Sequence, residues 1–404
     1  MHSSPPARPT SALPPPAPRV AELAVECLEG VDSLLGDWLE SVRPVRAEYA
    51  DSVPDDDVRE TALGAFELLL RTVAELPVPA NLAGISERIG ERRARQGVPL
   101  DSLLAAARLD FRVVWSALVE RADDADKVLL VASAYHVWEA VEAHVTGIMT
   151  AYQRTVLEMG RQREDERRLW FARLLETGGH NPTVVRDAGL ALGFQPADRF
   201  LCVAALPGSG GGLIDAATAL RSAGATVQRQ TVSAASLLVV QLGRRVTADA
   251  VLDRLAGVPC GLSPVADGLA EVPRAVELAT ATAGALRPDA AGPLRLADAW
   301  LDILVHRADS FAGHLAQDVL GGLRADGVPA AEAERLLRTV RVHLAGSGSI
   351  ADTATALYCH RNTVQQRFTR FSELTGRDIR RPEDAALVAL ALRVGAADHR
   401  SAGR

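Results

Sequence analysis

Apolar residues recur at helical spacing through the first 157 positions, then give way to short strand-like runs, then return to helical spacing near the carboxyl end. The first region predicts helices over 21–38, 58–76, 82–96, 100–121 and 126–157. Turn residues separate them at 51–57, 77–79, 97–99 and 123–124. Pro99 suits a first helical turn, and Asp101 complements the helix dipole there. The stretch 161–176 starts as a run of charge and ends apolar at Leu169, Trp170, Phe171, Leu174 and Leu175. It reads as a solvated connector helix that can pair with its twin in a dimer. Between 182 and 288 the pattern changes. Strand-like runs at 200–206, 226–230, 236–242 and 259–263 alternate with helical ones at 213–223, 246–256 and 269–285. That βαββαβα order suits a ferredoxin-like or nucleotide-cyclase-like palm. Helical segments follow over 297–323 and 329–344, with Ser349 placed to cap the next helix.

The segment 349–376 carries the most chemistry. Ile350, Ala354 and Leu357 form one apolar stripe, Tyr358-Cys359-His360 interrupts the period, and a second helix is expected from Arg361 to Leu374. Val364, Phe368 and Phe371 share one face of it. At 100° per residue the opposite face holds Asn362, Gln366, Thr369 and Arg370, flanked by Thr363 and Gln365. Asn, Gln and Arg can form paired hydrogen bonds to base edges in a major groove, which makes those four positions candidate base readers. Arg361 and Thr363 are better placed for phosphate. Glu373 is the only acid on the face, and Gly376 sits where helices end.

Charge bears on this unit. Residues 335–381 contain nine arginines and three acids, a local +6 in a chain of formal charge −7. A basic module on an acidic body suits a polyanionic partner; an ordinary helical hairpin with a solvated basic face is the plainer alternative. With 404 residues, 48% of them hydrophobic and 24% charged, the chain can hold two to four domains with their own cores. Lys127 is the only lysine, a feature attributed to base composition. The four cysteines, Cys27, Cys202, Cys260 and Cys359, form no C-x-x-C pair and suggest a reduced, cytoplasmic setting. No apolar run reaches the roughly 18 residues of a membrane span, and no signal-peptide stretch opens the chain. Residues 1–19, with seven prolines, read as a disordered tail.

The run from His360 to Ile379, HRNTVQQRFTRFSELTGRDI, resembles the C-terminal helix-turn-helix of PucR-type transcriptional regulators, a domain also found in CdaR-like regulators of sugar-diacid use. The matching positions are His360, Arg361, Asn362, Thr363, Val364, Arg367, Glu373, Leu374, Thr375, Gly376 and Asp378, and 387–394 resembles the family's closing apolar helix. Gln365 and Gln366 depart from the basic or aromatic residues of many relatives, so the family's operator does not carry over. The DNA contacts expected from the outer face of the helix are Arg361, Asn362, Thr363, Gln365, Gln366, Arg367, Thr369 and Arg370. The bundle resembles, by pattern, the helical N-terminal domain of some PucR-like regulators and of RsbR-type stress-signalling proteins. The stretch 261–286 resembles the end of the degenerate GGDEF-type domain of PucR-like proteins. A diguanylate cyclase needs carboxylates in the hairpin between the second and third strands, and Gln230–Ser236 holds none, so no enzyme activity is expected.

Other motifs carry less. Pro207–Gly212 lacks the third glycine and the downstream acid of a dinucleotide site and reads as a surface loop. The histidine pairs 136/144 and 306/314 lie two turns apart, too far for one ion. The expected protein is multidomain and mainly α: a disordered tail over 1–19, a helical sensor domain over 20–157, a connector helix over 158–178, an α/β domain that is GGDEF-like or ferredoxin-like over 179–296, and a helical C-terminal domain over 297–404. Its expected partners are double-stranded operator DNA, a second copy or a higher even oligomer, and an unidentified small-molecule effector. No metal, other cofactor or membrane is expected. A scaffold whose C-terminal helices bind a protein is the alternative.

Overall fold

A computed structural model describes residues 15–47, 52–208, 210–232, 234–287, 289–308 and 310–398. Residues 1–14 of the expected tail lie outside the described residues. The chain divides into two compact units, residues 1–165 and 166–404.

The first unit is helical. α1 spans Pro18–Glu29, α2 Val31–Arg46, α3 Asp55–Val73, α4 Ile85–Arg95, α5 Leu100–Arg121 and α6 Asp124–Glu176. Helix therefore begins inside the expected tail, with Pro18 in a first turn where its missing N–H costs nothing. The single helix expected over 21–38 is two helices. Gly30 ends α1, its N–H bonded to the Cys27 and Leu28 carbonyls, because glycine weakens a helix interior by about 1 kcal/mol relative to alanine. The core is built from fully buried Leu23, Phe66, Leu69, Leu70, Leu118, Leu130 and Ile148. Gly90 lets α4 approach α6: a Cβ there would lie 2.3 Å from the Ile148 carbonyl oxygen.

α6 departs most from expectation. The bundle end expected at 157 and the connector expected over 158–178 are one helix of 53 residues. The charged stretch 161–168 lacks an apolar stripe but consists of Arg, Gln, Glu and Asp, mostly strong helix formers, and Gly160 alone does not stop it. Loss of amphipathicity thus marked a change of environment along one helix.

The second unit contains a sheet and the C-terminal helices. α7, Pro182–Leu192, was not anticipated. Its signals were present in Asn181, whose side chain accepts from the Thr183 and Val184 N–H groups, and in left-handed Gly193 at its end. Next come β1 Arg199–Ala205, α8 Gly210–Ser222, β2 Val227–Val232, β3 Ala235–Leu242, α9 Ala248–Arg254, β4 Cys260–Leu262, β5 Ala266–Asp267, α10 Val272–Gly284 and β6 Pro293–Arg295. The expected loop 207–212 is shorter than read, since Gly210–Gly212 open α8, with Gly212 against Val258. The strand order is β2-β3-β1-β4-β6, with β5 also paired to β1. β1 is antiparallel to β3 and β4, and β2 to β3. That is a split β-α-β arrangement, the ferredoxin-like order.

β1 has helices on both faces, and its side chains alternate between two cores. Phe200, Cys202 and Ala204 pack with α7, α10 and the end of α6, while Leu201, Val203 and Ala205 pack with α8 and α9. Burial pushes the Cys202 and Cys260 thiols up to about 12, in keeping with inert core residues. α11 Leu296–Ala308, α12 Ser310–Leu320, α13 Ala330–Ala345, α14 Ile350–Ala356, α15 Arg361–Thr375 and α16 Pro382–Asp398 complete the chain. No helix among the described residues is long and apolar enough to cross a membrane, and no three metal-ligating side chains cluster there.

Candidate nucleic-acid interface

α14 and α15 form the expected helix pair, and each end is capped locally. Ser349 Oγ accepts from the Asp352 N–H at 3.3 Å. At the turn the Cys359 N–H closes on the Ala354 carbonyl at 3.0 Å. His360 Nδ1 accepts from the Asn362 N–H at 3.3 Å and starts α15. Gly376, at φ 70°, ends it. The turn is made by Tyr358 in the left-handed region, φ 51°, with its side chain 98% exposed. A left-handed conformation costs a residue with a side chain about 1–2 kcal/mol, and an exposed ring returns nothing for it by packing. Tyr358→Gly is therefore expected to stabilise the domain by about 0.5–1 kcal/mol, after the larger chain entropy that glycine loses. A rise in urea midpoint at constant m-value checks this.

The back of α15 is clamped. Val364, Phe368 and Phe371 are buried with Leu336 and Val340 of α13 and Val388 and Ala391 of α16. His343 of α13 lies beneath, its ring edge-on to Phe368 at 4.8 Å and its Nδ1 3.0 Å from Thr353 Oγ1. Burial holds the His343 imidazole below its ordinary pKa, partly offset by a backbone hydrogen bond at Ser349. A neutral histidine thus ties α13 to both helices of the pair, a role its spacing in the sequence did not suggest.

Asn362, Gln365, Gln366, Thr369, Arg361 and Arg370 are exposed along α15, and Thr363 and Arg367 are half-buried. The two remaining arginines of the predicted set differ from a simple outward-facing picture. Arg367 donates from Nη1 to Thr339 Oγ1 at 3.1 Å, bracing α15 on α13. Arg370 donates to Glu332 at 2.8 Å and to Glu373 at 3.3 Å, and these bonds raise its pKa above the ordinary value.

The local charge is also less free than the count implies. Glu332, Glu334, Asp318 and Asp384 lie outside the counted window, yet fold against Arg370, Arg341 and Arg377. Arg380 is held by Asp378 through both oxygens. Among the described residues, Arg335, Arg338, Arg361 and Arg381 of the counted nine are exposed and form no ion pair.

A short helix, a four-residue turn and a longer helix with an amide-bearing outer face define a helix-turn-helix protein. Residues 336–394 match the PucR C-terminal helix-turn-helix domain. That stretch of the chain is similar to the helix-turn-helix that closes PucR-type regulators. Residues 32–167 match the N-terminal domain of the RsbT co-antagonist protein RsbRD. Over 63 residues the chain is 41% identical to the purine catabolism regulatory protein of Bacillus subtilis (strain 168), a stretch that covers 16% of this chain and 12% of that protein. The match thus spans about an eighth of that relative's length. Among solved structures, the chain is similar to a regulator of polyketide synthase expression from Bifidobacterium adolescentis, at 25% identity over 59% of this chain and 99% of that one, with a TM-score of 0.32.

Proposed function

We propose that this chain is a sequence-specific DNA-binding transcriptional regulator that works in the cytoplasm as a dimer or higher even oligomer. α15 enters the major groove, with Asn362, Gln366, Thr369 and Arg370 reading bases. Arg361 and Thr363 hold phosphates at the helix N-terminus, Gln365 flanks the reading face, and Arg367 sets the helix on α13. Two copies present two half-sites, since one helix pair reads few bases. The N-terminal helical domain receives a signal. The sheet domain, a GGDEF-like domain without cyclase carboxylates, transmits it or holds subunits together without turning over substrate.

One observation carries this reading: α15 seals its aromatic side in the core and leaves Asn362, Gln366 and Thr369 exposed on its outer surface. The test begins with genome-wide mapping of bound sites, followed by gel-shift titration on a recovered fragment. Asn362→Ala and Gln366→Ala are each expected to weaken binding by about 1–3 kcal/mol and to relax specificity at one base pair. Arg361→Ala should weaken all sequences alike and reduce the salt slope, about 0.9 log units per phosphate contact for each tenfold in salt, by about one contact. Unaltered affinity in all three folded variants would remove α15 from the DNA surface.

The match of residues 32–167 to a domain named for an RsbT co-antagonist supports a second reading, in which the chain is a signalling scaffold that binds a protein. That reading predicts no salt-sensitive retention of any DNA fragment.

A further inference from the structure

Inside the N-terminal bundle lies a cavity of about 50 Å³ to which α2, α3, α4, α5 and α6 all contribute lining side chains. Most of its wall is methyl groups, among them those of Val58, Ala62, Ala65, Ala106 and Ile148. One end is polar. Asp110, His144 and the Trp38 indole meet there, each less than a tenth exposed. His144 Nδ1 is committed to Ser86 Oγ at 2.7 Å, and its Nε2 stands 3.5 Å from Asp110 Oδ2. Trp38 Nε1 is buried and meets the Asp110 carboxyl only outside ordinary hydrogen-bond geometry. A donor so poorly satisfied in a core costs stability, and a polar group retained there at that cost points to a partner that arrives from outside.

Size and charge limit that partner. A water needs about 10–15 Å³ of such space, so the cavity takes about three or four non-hydrogen atoms. Water is satisfied only at the polar end, because each molecule wants two to four polar partners and most of the wall offers none. An ion is disfavoured. Arg93 also lines the space, but Asp57 already balances it at 2.7 Å, and another buried charge would lack a counterion. Burial raises the Asp110 carboxyl above its usual range, against the opposing effect of His144 and Trp38.

We infer that this cavity is a binding site for a small uncharged molecule of three or four non-hydrogen atoms, with one hydroxyl or carbonyl oxygen accepting from Trp38 Nε1 and a short apolar body against the methyl wall. The inference deepens the reading of the N-terminal domain as a signal receiver and rests on it. The binding test uses no DNA and the gel shift uses no small molecule, so each can fail alone.

The test is a ¹H–¹⁵N spectrum of the full chain, in which five tryptophans give five indole signals and Trp38→Phe identifies one of them. Titration with propan-2-ol and with acetone is expected to shift the Trp38 signal saturably, with a Kd on the order of millimolar, and to leave the other four in place. Cyclohexanol, too large for the space, should produce no shift. Ala106→Leu fills the cavity and should abolish the response. Should that variant fail to fold, the size selectivity of the unaltered protein decides. A drift shared by all five indoles, no shift at Trp38, or an equal response to cyclohexanol would overturn the site.

Discussion

Phe368→Ala is expected to destabilise the C-terminal domain by about 3–5 kcal/mol and to abolish DNA retention with it. The side chain is 1% exposed and stands between α13, α14 and α16, with the His343 ring edge-on at 4.8 Å. Truncation removes the transfer free energy of a whole ring and leaves a void that three helices cannot close without moving. Domain stabilities run about 5–15 kcal/mol, so the loss is a large share of the total. The route matters more than the size. Asn362→Ala should leave the urea midpoint within about 0.5 kcal/mol while weakening DNA, because that side chain is exposed and bonded only through its backbone N–H. Phe368→Ala should move the midpoint first and binding as a consequence. If both variants shift stability equally, the division of α15 into an anchoring side and a reading side fails.

The second large effect is expected far from that helix. Arg93→Ala should cost the N-terminal domain about 3–5 kcal/mol, because it leaves a buried carboxylate with only the half-exposed Arg92, at 3.1 Å, as counterion. Asp57 and Arg93 side chains are 4% and 5% exposed and meet at 2.7 Å. Gln96 donates to the same oxygen at 2.8 Å, and Arg93 reaches Thr61 at 2.9 Å. Burial alone would raise the Asp57 pKa, but bonds from Arg93 and Gln96 and the charges of Arg93 and Arg92 outweigh it and hold the group below its usual range. A folded-state pKa below the unfolded value contributes stability at pH above about 3.8, and that contribution is lost as pH falls through the folded-state value. Urea titrations at pH 7 and pH 3 should therefore show a gap between wild type and Arg93→Ala that narrows in acid. A double change, Asp57→Leu with Arg93→Met, should recover much of the loss, since a packed apolar pair needs no counterion. A gap independent of pH would assign the cost of Arg93→Ala to packing alone.

The parts of this protein that were readable in advance are those where neighbours in sequence set the outcome. Helices α3, α4 and α5 fell within three residues of expectation, and the α14–α15 pair within about one, because apolar period and capping residues are local. The same holds for the outer face of α15, since helical geometry alone separates Asn362 and Gln366 from Val364 and Phe368. Where two local rules competed, the reading slipped. A charged stretch suggested a separate connector, yet its helix-forming residues continued α6 through it.

What tertiary structure alone decided lies where distant segments meet. No spacing rule pairs Arg367 with Thr339, or Arg370 with Glu332 across 38 positions, and those contacts set which arginines are free to meet a phosphate. β6 joins the sheet only because it finds β4, with no apolar pattern of its own. The cavity under Trp38 requires five helices, each contributing unremarkable residues. The amino-acid order by itself determined a basic helix-turn-helix behind a mixed sheet and a helical bundle, since periodicity, caps and turns act over a few residues. Ion pairing, sheet edges and internal space depend on backbone placement over tens of residues, and only folding supplies that placement.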